Sequence, residues 1–519
     1  MKSFHYKSLV GALLAAGVAS QAGAVNVNQD GLGQHLIYPY YTARSGNTTL
    51  LSVVNTTTAG KVVRVRFLEA KNSVDVLDFN LFLSPYDVWT GAVTKNVAGD
   101  GARLITNDNS CTSPTKDQWT SLGGGAYSVD MFNFLYASED PAAPQGLDRT
   151  FEGYVEIIEQ ASVPLSTTGL YLATKHDATG VAPCTAAVVN ATSDTSTAVA
   201  AWIAAPTGGM FGALTLLGPV GTSTSVNATA LDNFARLPFV NKPSSAFPNF
   251  SDGNSCVAAT TVGNEVILVN TALANGGVCT PTNQARASMV ALMADTINGE
   301  YSYTGKVGSP LGTDWIITHP GKNFLTQVVA QAPFTTPWSK TAKTACETIE
   351  YRSFDREEFG SSNPSLPNCF SGSAEGACQT KSTSLCFEAN VVSFGEGPGI
   401  SAAVQSANTL WLSGTQQLGA NSTATKDGGW MTMDLGPRSG SSTSIAAPGR
   451  RLPGQVVSAT NIITGAASVA NPVGSTATFV GLPVIGFSVS GVKVTAGPQL
   501  NNYGASVSLT PTRRISAAQ

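Results

Sequence analysis

The densest run of ionisable side chains is Asp355-Arg356-Glu357-Glu358. Two carboxyls held about 5–9 Å apart across a cleft can divide acid–base work between them. One short segment does not bring its own carboxylates together in that way. A solvated, salt-bridged turn between Cys346 and Cys386 is therefore preferred, with Asp355 and Glu357 as the carboxylates a secreted hydrolase would use. His176-Asp177 is an adjacent pair, and His35 and His319 stand alone. A serine–histidine–aspartate site takes its members from separate segments. Neither a G-x-S-x-G elbow nor an H-E-x-x-H helix occurs. Gly299 to Lys306 imitates a phosphate-binding loop, but it places five residues between its glycines and has Val307 where Ser or Thr would hold magnesium.

Metal chemistry finds little support. Asn26-Val27-Asn28-Gln29-Asp30-Gly31 opens like a calcium loop, with side-chain oxygens at the first, third and fifth positions. Ile37 then stands where a bidentate Glu is needed, so a polar turn is the preferred reading and no cofactor is assigned. The eight cysteines show no C-x-x-C spacing, which excludes the usual zinc patterns. An even number in an exported chain reads as disulfides. Proximity suggests Cys111–Cys184, Cys256–Cys279, Cys346–Cys386 and Cys369–Cys378. Tyr38-Pro39-Tyr40-Tyr41 and seven tryptophans, at 89, 119, 202, 315, 338, 411 and 430, are read first as core and sheet-packing residues. Exposed members of that set would stack on sugars, which is the basis of a carbohydrate-binding alternative.

Strands must position these residues. Leu50 to Asn55, Val62 to Glu69 and Leu77 to Leu83 follow one another, with Val63, Val65 and Phe67 pointing one way and Arg64 and Arg66 the other. Period-two alternation marks half-buried antiparallel strands, and sheets with one wet face pack in pairs. Ser84-Pro85-Tyr86-Asp87 closes the run with turn chemistry. Further strands are read at Tyr154–Ile158, Glu265–Val269, Trp315–Thr318, Ala389–Phe394, Trp430–Leu435 and Val484–Val489. One helix is read from Arg286 to Asn298, stopped by Gly299. Residues 185–200 and 436–455 read as long loops, and no repeat of fixed period argues for a propeller or solenoid. The expected class is mainly β: an antiparallel β-sandwich, Ig-like or jelly-roll-like, with long loops and few short helices.

Lys2 and Lys7, the apolar run Leu9–Ala19 and Ala22-Gly23-Ala24 together read as a signal peptide cut after Ala24. Residues 25–519 would then form one large disulfide-braced body without an assignable internal boundary and without a transmembrane segment. Removing the two lysines would move the formal charge from −4 to −6. Charged residues make up 12% of the chain, so Ser, Thr, Asn and Gly must supply the polar surface. No basic stripe is present to neutralise phosphates, which argues against a nucleic-acid partner.

Leu36-Ile37-Tyr38-Pro39-Tyr40-Tyr41-Thr42, Thr49 to Thr57, Val63 to Phe67 and Leu77 to Pro85 resemble a family of exported Gram-negative proteins of unassigned function. Glu152 to Glu159, Gly312-Thr313-Asp314-Trp315 and Gly481 to Phe487 extend the resemblance. The first segment is also similar to Ig-like sandwich modules of bacterial surface proteins. The resemblance implies surface or periplasmic residence and brings no catalytic residue with it; the export signal alone is read as placing the chain in the periplasm, on the cell surface or outside the cell. The reading of the sequence is a non-enzymatic structural or interaction protein of the cell envelope, such as a surface coat, surface layer or adhesive component. Its partners would be further copies of itself or envelope glycans. A carbohydrate-binding sandwich and a secreted hydrolase are the alternatives.

Overall fold

In the computed structural model, the described residues are 24–140, 145–189, 201–218, 223–239, 248–253, 256–262, 265–270, 280–302, 311–355, 381–394, 416–418, 428–436, 450–458, 476–493 and 502–517. The cut site expected after Ala24 is met only at its edge: residues 1–23 lie outside this set.

Five sheets of five or more strands account for most of the chain. The first sheet runs Asn26–Val27, Thr229–Asp232, His35–Thr42, Glu152–Val163, Gly60–Glu69, Asp75–Leu83 and Cys111–Ser113. The second runs Ser223–Asn227, Met210–Leu217, Thr48–Asn55, Val88–Lys95, Ala102–Thr106, Ala126–Asp130 and Thr120–Gly123. Both are antiparallel throughout, and they face each other across one core. Val63, Val65, Phe67, Phe79 and Ile157 of the first sheet meet Val53, Trp89, Leu104 and Leu214 of the second there. The alternation Val63–Arg64–Val65–Arg66–Phe67 is the reason: β-branched and aromatic side chains fall on one face of the pleat and charges on the other.

A second sandwich follows. Its third sheet runs Gln416–Leu418, Ala389–Phe394, Leu311–Thr318, Ile485–Lys493 and Asn502–Ser508, with the first pair parallel. Its fourth runs Lys381–Leu385, Glu347–Asp355, Gly428–Asp434, Thr296–Ser302 and Thr510–Thr512. Trp315, Ile317 and Phe394 pack against Ile297, Tyr301, Tyr351, Met431 and Met433. The third sheet is buried on both sides, because Ile316, Val391, Phe487 and Val489 join the core of the first sandwich. The fifth sheet runs Val257–Val262, Glu265–Asn270, Arg451–Ser458, Thr476–Val480 and Arg514–Ala517. The mainly β, antiparallel sandwich architecture agrees with the alternation in the sequence.

Three expectations need correction. The first sheet has no wet face: Ile37, Leu68, Tyr154 and Leu231 on its polar side join the second core. The helix spans Pro281–Leu292 rather than Arg286–Asn298. Thr280 caps it through its side chain and Pro281 occupies the first turn, whereas Ile297 to Gly299 belong to the Thr296–Ser302 strand. Pairing of Met293 with Pro483 and of Ile297 with Met433 overrides their helical spacing. Finally, the two stretches read as loops carry the short helix Ala186–Val189 and the start of the strand Arg451–Ser458.

Candidate functional site

The charged side of the first sheet is the most concentrated group of ionisable residues among those described. Arg66 is nearly central. Its two terminal nitrogens donate to Asp75 Oδ2 and Glu156 Oε2, each at 2.8 Å. Glu156 Oε1 lies 3.8 Å from His35 Nε2, and both side chains are fully buried. Arg64 pairs with Asp78 and donates to Asn80 Oδ1 at 3.1 Å, and Gln160 donates to the same oxygen at 2.6 Å. The His35 ring stands edge-on to Phe234, 4.7 Å between centroids, with Phe250 at 6.0 Å. Burial, helped by the Arg66 charge, pushes His35 down to about 3 and keeps it neutral. Burial pushes Glu156 up to about 7, against the pull of Arg66. Such groups could exchange a proton, but aromatic rings and a full sheet stand between them and any substrate. A catalytic acid or base must reach its substrate directly or through one water.

Ser84, Asp87 and His176 do come together from separate segments. Ser84 Oγ lies 2.9 Å from His176 Nδ1, and Asp87 Oδ2 lies 3.5 Å from the same nitrogen. A hydrolytic triad uses the two ring nitrogens for two different partners; here one nitrogen serves both. Ser84 Oγ also accepts the His176 backbone N–H at 3.0 Å and lies 3.1 Å from Thr174 O. Asp87 Oδ2 in turn accepts the Ser84 backbone N–H at 2.8 Å. The constellation clamps the Ser84–Asp87 turn to the segment after the Gly169–Thr174 helix, beside the Cys111–Cys184 bridge. Burial holds the Asp87 carboxyl above its ordinary range.

Other buried charges are similarly occupied. Lys61 Nζ donates to Glu159 Oε1 at 2.8 Å and to Thr207 Oγ1 at 2.6 Å, while Glu159 also accepts from the Gly208 N–H. Glu69 accepts backbone N–H groups from Lys71 and Asn72, both at 2.8 Å, and pairs with Arg149 at 2.7 Å. Glu347 pairs with Arg450 at 3.1 Å and accepts from Thr335 Oγ1 at 2.6 Å. Lys322 donates to Ala345 O at 2.6 Å, and burial lowers its pKa while raising that of Glu388. These contacts fix turns and strand ends, as buried charges must when no water reaches them.

The residues singled out in the sequence fall as follows. Tyr38, Tyr40 and Tyr41 are fully buried, so the aromatic cluster offers no stacking surface; Tyr38 Oη donates to Ser52 O at 2.7 Å. Trp89, Trp119, Trp315 and Trp338 are buried too, whereas Trp430 is 42% exposed. Trp411 lies outside the described residues. In the calcium-like loop, Asn28 Oδ1 accepts the Asp30 N–H at 2.9 Å and Asn26 Oδ1 accepts from Asn233 at 3.1 Å, making a turn and a strand contact. Among the described residues no group of three or more His, Cys, Asp or Glu is placed to hold a metal ion. Cys111 is bonded to Cys184 and Cys346 to Cys386. Cys256 is also disulfide-bonded. Cys279, Cys369 and Cys378 lie outside the described residues, as do Glu357 and the side chain of Asp355. Among the described residues no helix is long and apolar enough to cross a membrane.

Sequence reasoning missed the outward face of the second sheet. Three adjoining strands, Met210–Leu217, Thr48–Asn55 and Val88–Lys95, present Leu50, Ser52, Val54, Val88, Thr90, Ala92, Phe211, Ala213 and Thr215, in register and without a charge. Leu50, Val88 and Phe211 are 39%, 49% and 42% exposed. A shallow depression of about 660 Å3 crosses this face, bordered by Leu50, Ser52, Thr90, Ile105, Ala213 and Thr215. The signal was the alternation itself, since Leu51 and Val53 leave Leu50 and Val54 on the opposite side. Comparison of the chain with protein-family models, curated proteins and solved structures finds no match.

Proposed function

We propose that the chain is a non-enzymatic structural or interaction protein of the bacterial cell envelope, exported and held there by self-association. The observation that carries this reading is the uncharged patch on the outer face of the second sheet, across the Met210–Leu217, Thr48–Asn55 and Val88–Lys95 strands, with Leu50, Val88 and Phe211 exposed on it. Contiguous apolar surface on a folded protein marks a contact site. Small Ala, Ser and Thr side chains between the larger ones leave that face flat enough to meet another sheet. The described polar constellations support the same reading, because each is engaged in holding the fold. Residence in the envelope, with a surface coat or layer as the product, extends the resemblance of Leu36–Thr42 and the strands after it.

The test is cell fractionation followed by sedimentation velocity and negative-stain microscopy of the mature protein. Wild type should fractionate with the envelope and form dimers or ordered arrays. Leu50→Lys and Ala92→Glu, which place charges on the exposed face, should give monomers of unchanged melting temperature. A released wild-type monomer at high concentration would end this reading.

A further inference from the structure

The fourth sheet has an outward face of different character. Inward, Ile297, Tyr301, Tyr351, Met431 and Met433 fill the second core. Outward, Trp430 sits between Glu300 on one neighbouring strand and Phe354 on the other. Trp430 is 42% exposed, although Phe354 beneath it is only 7% exposed. The two rings stack with centroids 4.7 Å apart and planes within 20°. One face of the indole is therefore covered and its orientation fixed, while part of the side chain is open to solvent. The adjacent row on the same side is Asn298, Thr432 and Arg352, and the next is Thr296, Asp434 and Glu350. Residues directly opposite on an antiparallel pair have Cβ atoms about 4.5–5.5 Å apart. Diagonal neighbours lie about 7–8 Å apart, so the Glu300 carboxylate sits directly beside the indole and the Asn298 amide and Arg352 guanidinium lie one row further along the sheet.

We propose that Trp430 is the platform of a carbohydrate-binding site, with Glu300, Asn298 and Arg352 as its hydrogen-bonding rim, and that it takes a pyranose ring of a neutral polysaccharide. A pyranose has an apolar C–H face that matches an indole and an equatorial rim of hydroxyls that both donate and accept. Glu300 accepts from such hydroxyls, Arg352 donates to them, and the Asn298 amide does both. Charge selects the class of sugar: among the described residues Glu300 and Glu350 share this face with Arg352, and Asp434 is buried beside them. Uronates, phosphorylated glycans and nucleic acid would meet a net negative surface. The site lies on a different sheet from the self-association face and does not depend on it.

The experiment is biosensor titration of immobilised mature protein with a mannan, a β-glucan and a galactan, and with polygalacturonate as the acidic comparison. Wild type should bind at least one neutral polymer and not polygalacturonate. Trp430→Ala should weaken that binding at least tenfold, Trp430→Phe should retain part of it, and Glu300→Gln should weaken it several-fold. The Phe variant keeps the stack on Phe354 and the Gln variant is isosteric, so both remain informative if the Ala variant fails to fold. Absence of binding to all three neutral polymers, a preference for polygalacturonate, or equal affinity of wild type and all three variants would overturn the proposal.

Discussion

His319 gives the sharpest test of the buried polar interior. It follows the Leu311–Thr318 strand, is fully buried, and its Nδ1 donates to Pro483 O at 2.7 Å. Phe334 stands edge-on to the ring at 6.3 Å. Lys322 and Arg450 add positive charge around it, with Glu347 and Glu388 as their counter-charges. Burial first, and the Lys322 charge second, push His319 down to about 3 from its ordinary 6.5. The folded pKa is thus below the unfolded one. As pH falls past 6.5 the unfolded chain takes up a proton that the folded chain refuses until about 3. The contribution is complete above pH 6.5 and is lost between 6.5 and 3. At pH 4.5, two units below 6.5, the loss is ~2.7 kcal/mol at ~1.36 kcal/mol per unit. That is a large share of a typical stability of about 5–15 kcal/mol. His319→Asn keeps an N–H near the Nδ1 position and cannot titrate. Urea unfolding followed by tryptophan fluorescence at pH 8 and pH 4.5 should show the variant gaining on wild type by that amount on acidification. A wild-type-minus-variant difference that is the same at both pH values would refute the reasoning, because it would mean that the folded chain protonates His319 as readily as the unfolded one.

Glu156 should act with the opposite sign. Burial raises its folded pKa from 4.5 to about 7, so wild type should lose stability as pH rises through that window, by ~3 kcal/mol, and Glu156→Gln should not. The same unfolding titration between pH 4 and pH 8 checks this, and parallel curves for the two proteins would contradict it. The Cys111–Cys184 bridge joins residues 73 apart in the chain, a span whose closure is worth ~4 kcal/mol in the chain-entropy description. Cys111→Ser with Cys184→Ser should therefore lower the melting temperature markedly; a melting temperature within a degree of wild type would show that packing alone fixes that end of the first sheet.

The strands around Val63, Phe79, Ile157 and Trp315 were legible because a sandwich core imposes period two on the residues that fill it. The disposition of Arg64 and Arg66 was legible only halfway. Alternation puts them opposite Val63 and Val65, but whether the far side meets water depends on a contact with Phe234, Phe250 and the second core, more than 150 residues away in sequence. The Ser84–His176 clamp was hidden for the same reason, since it joins groups 92 residues apart. Exposure of aromatics was the least legible property. Tyr40 and Trp430 have similar local surroundings of β-formers, yet one is sealed inside the first sandwich and the other stands on the outside of the second. No local pattern separates them, because burial is decided by which sheet face is left over when the sheets have packed.

The first and third sheets, enclosed on both sides, explain why so much charge is buried in a chain with so few charged residues. A sheet covered on both faces usually reads as continuously apolar. Here the Gly60–Glu69 and Glu152–Val163 strands instead carry Lys61, Arg66, Glu69, Glu156 and Glu159 inside, each with a partner on a neighbouring strand or turn. Replacing such pairs with apolar residues is often neutral or stabilising, whereas removing one member costs about 3–5 kcal/mol. The pairs are therefore poor sources of stability but strict markers of register: a one-residue slip of Gly60–Glu69 against Glu152–Val163 would bury Arg66 without Glu156 and Lys61 without Glu159. A long β protein whose sheets share similar Val- and Thr-rich strands has many near-equivalent pairings to avoid. Charges that are tolerated in only one register separate the correct pairing from those neighbours, which accounts for ionisable clusters that have every appearance of a site and no access to a substrate.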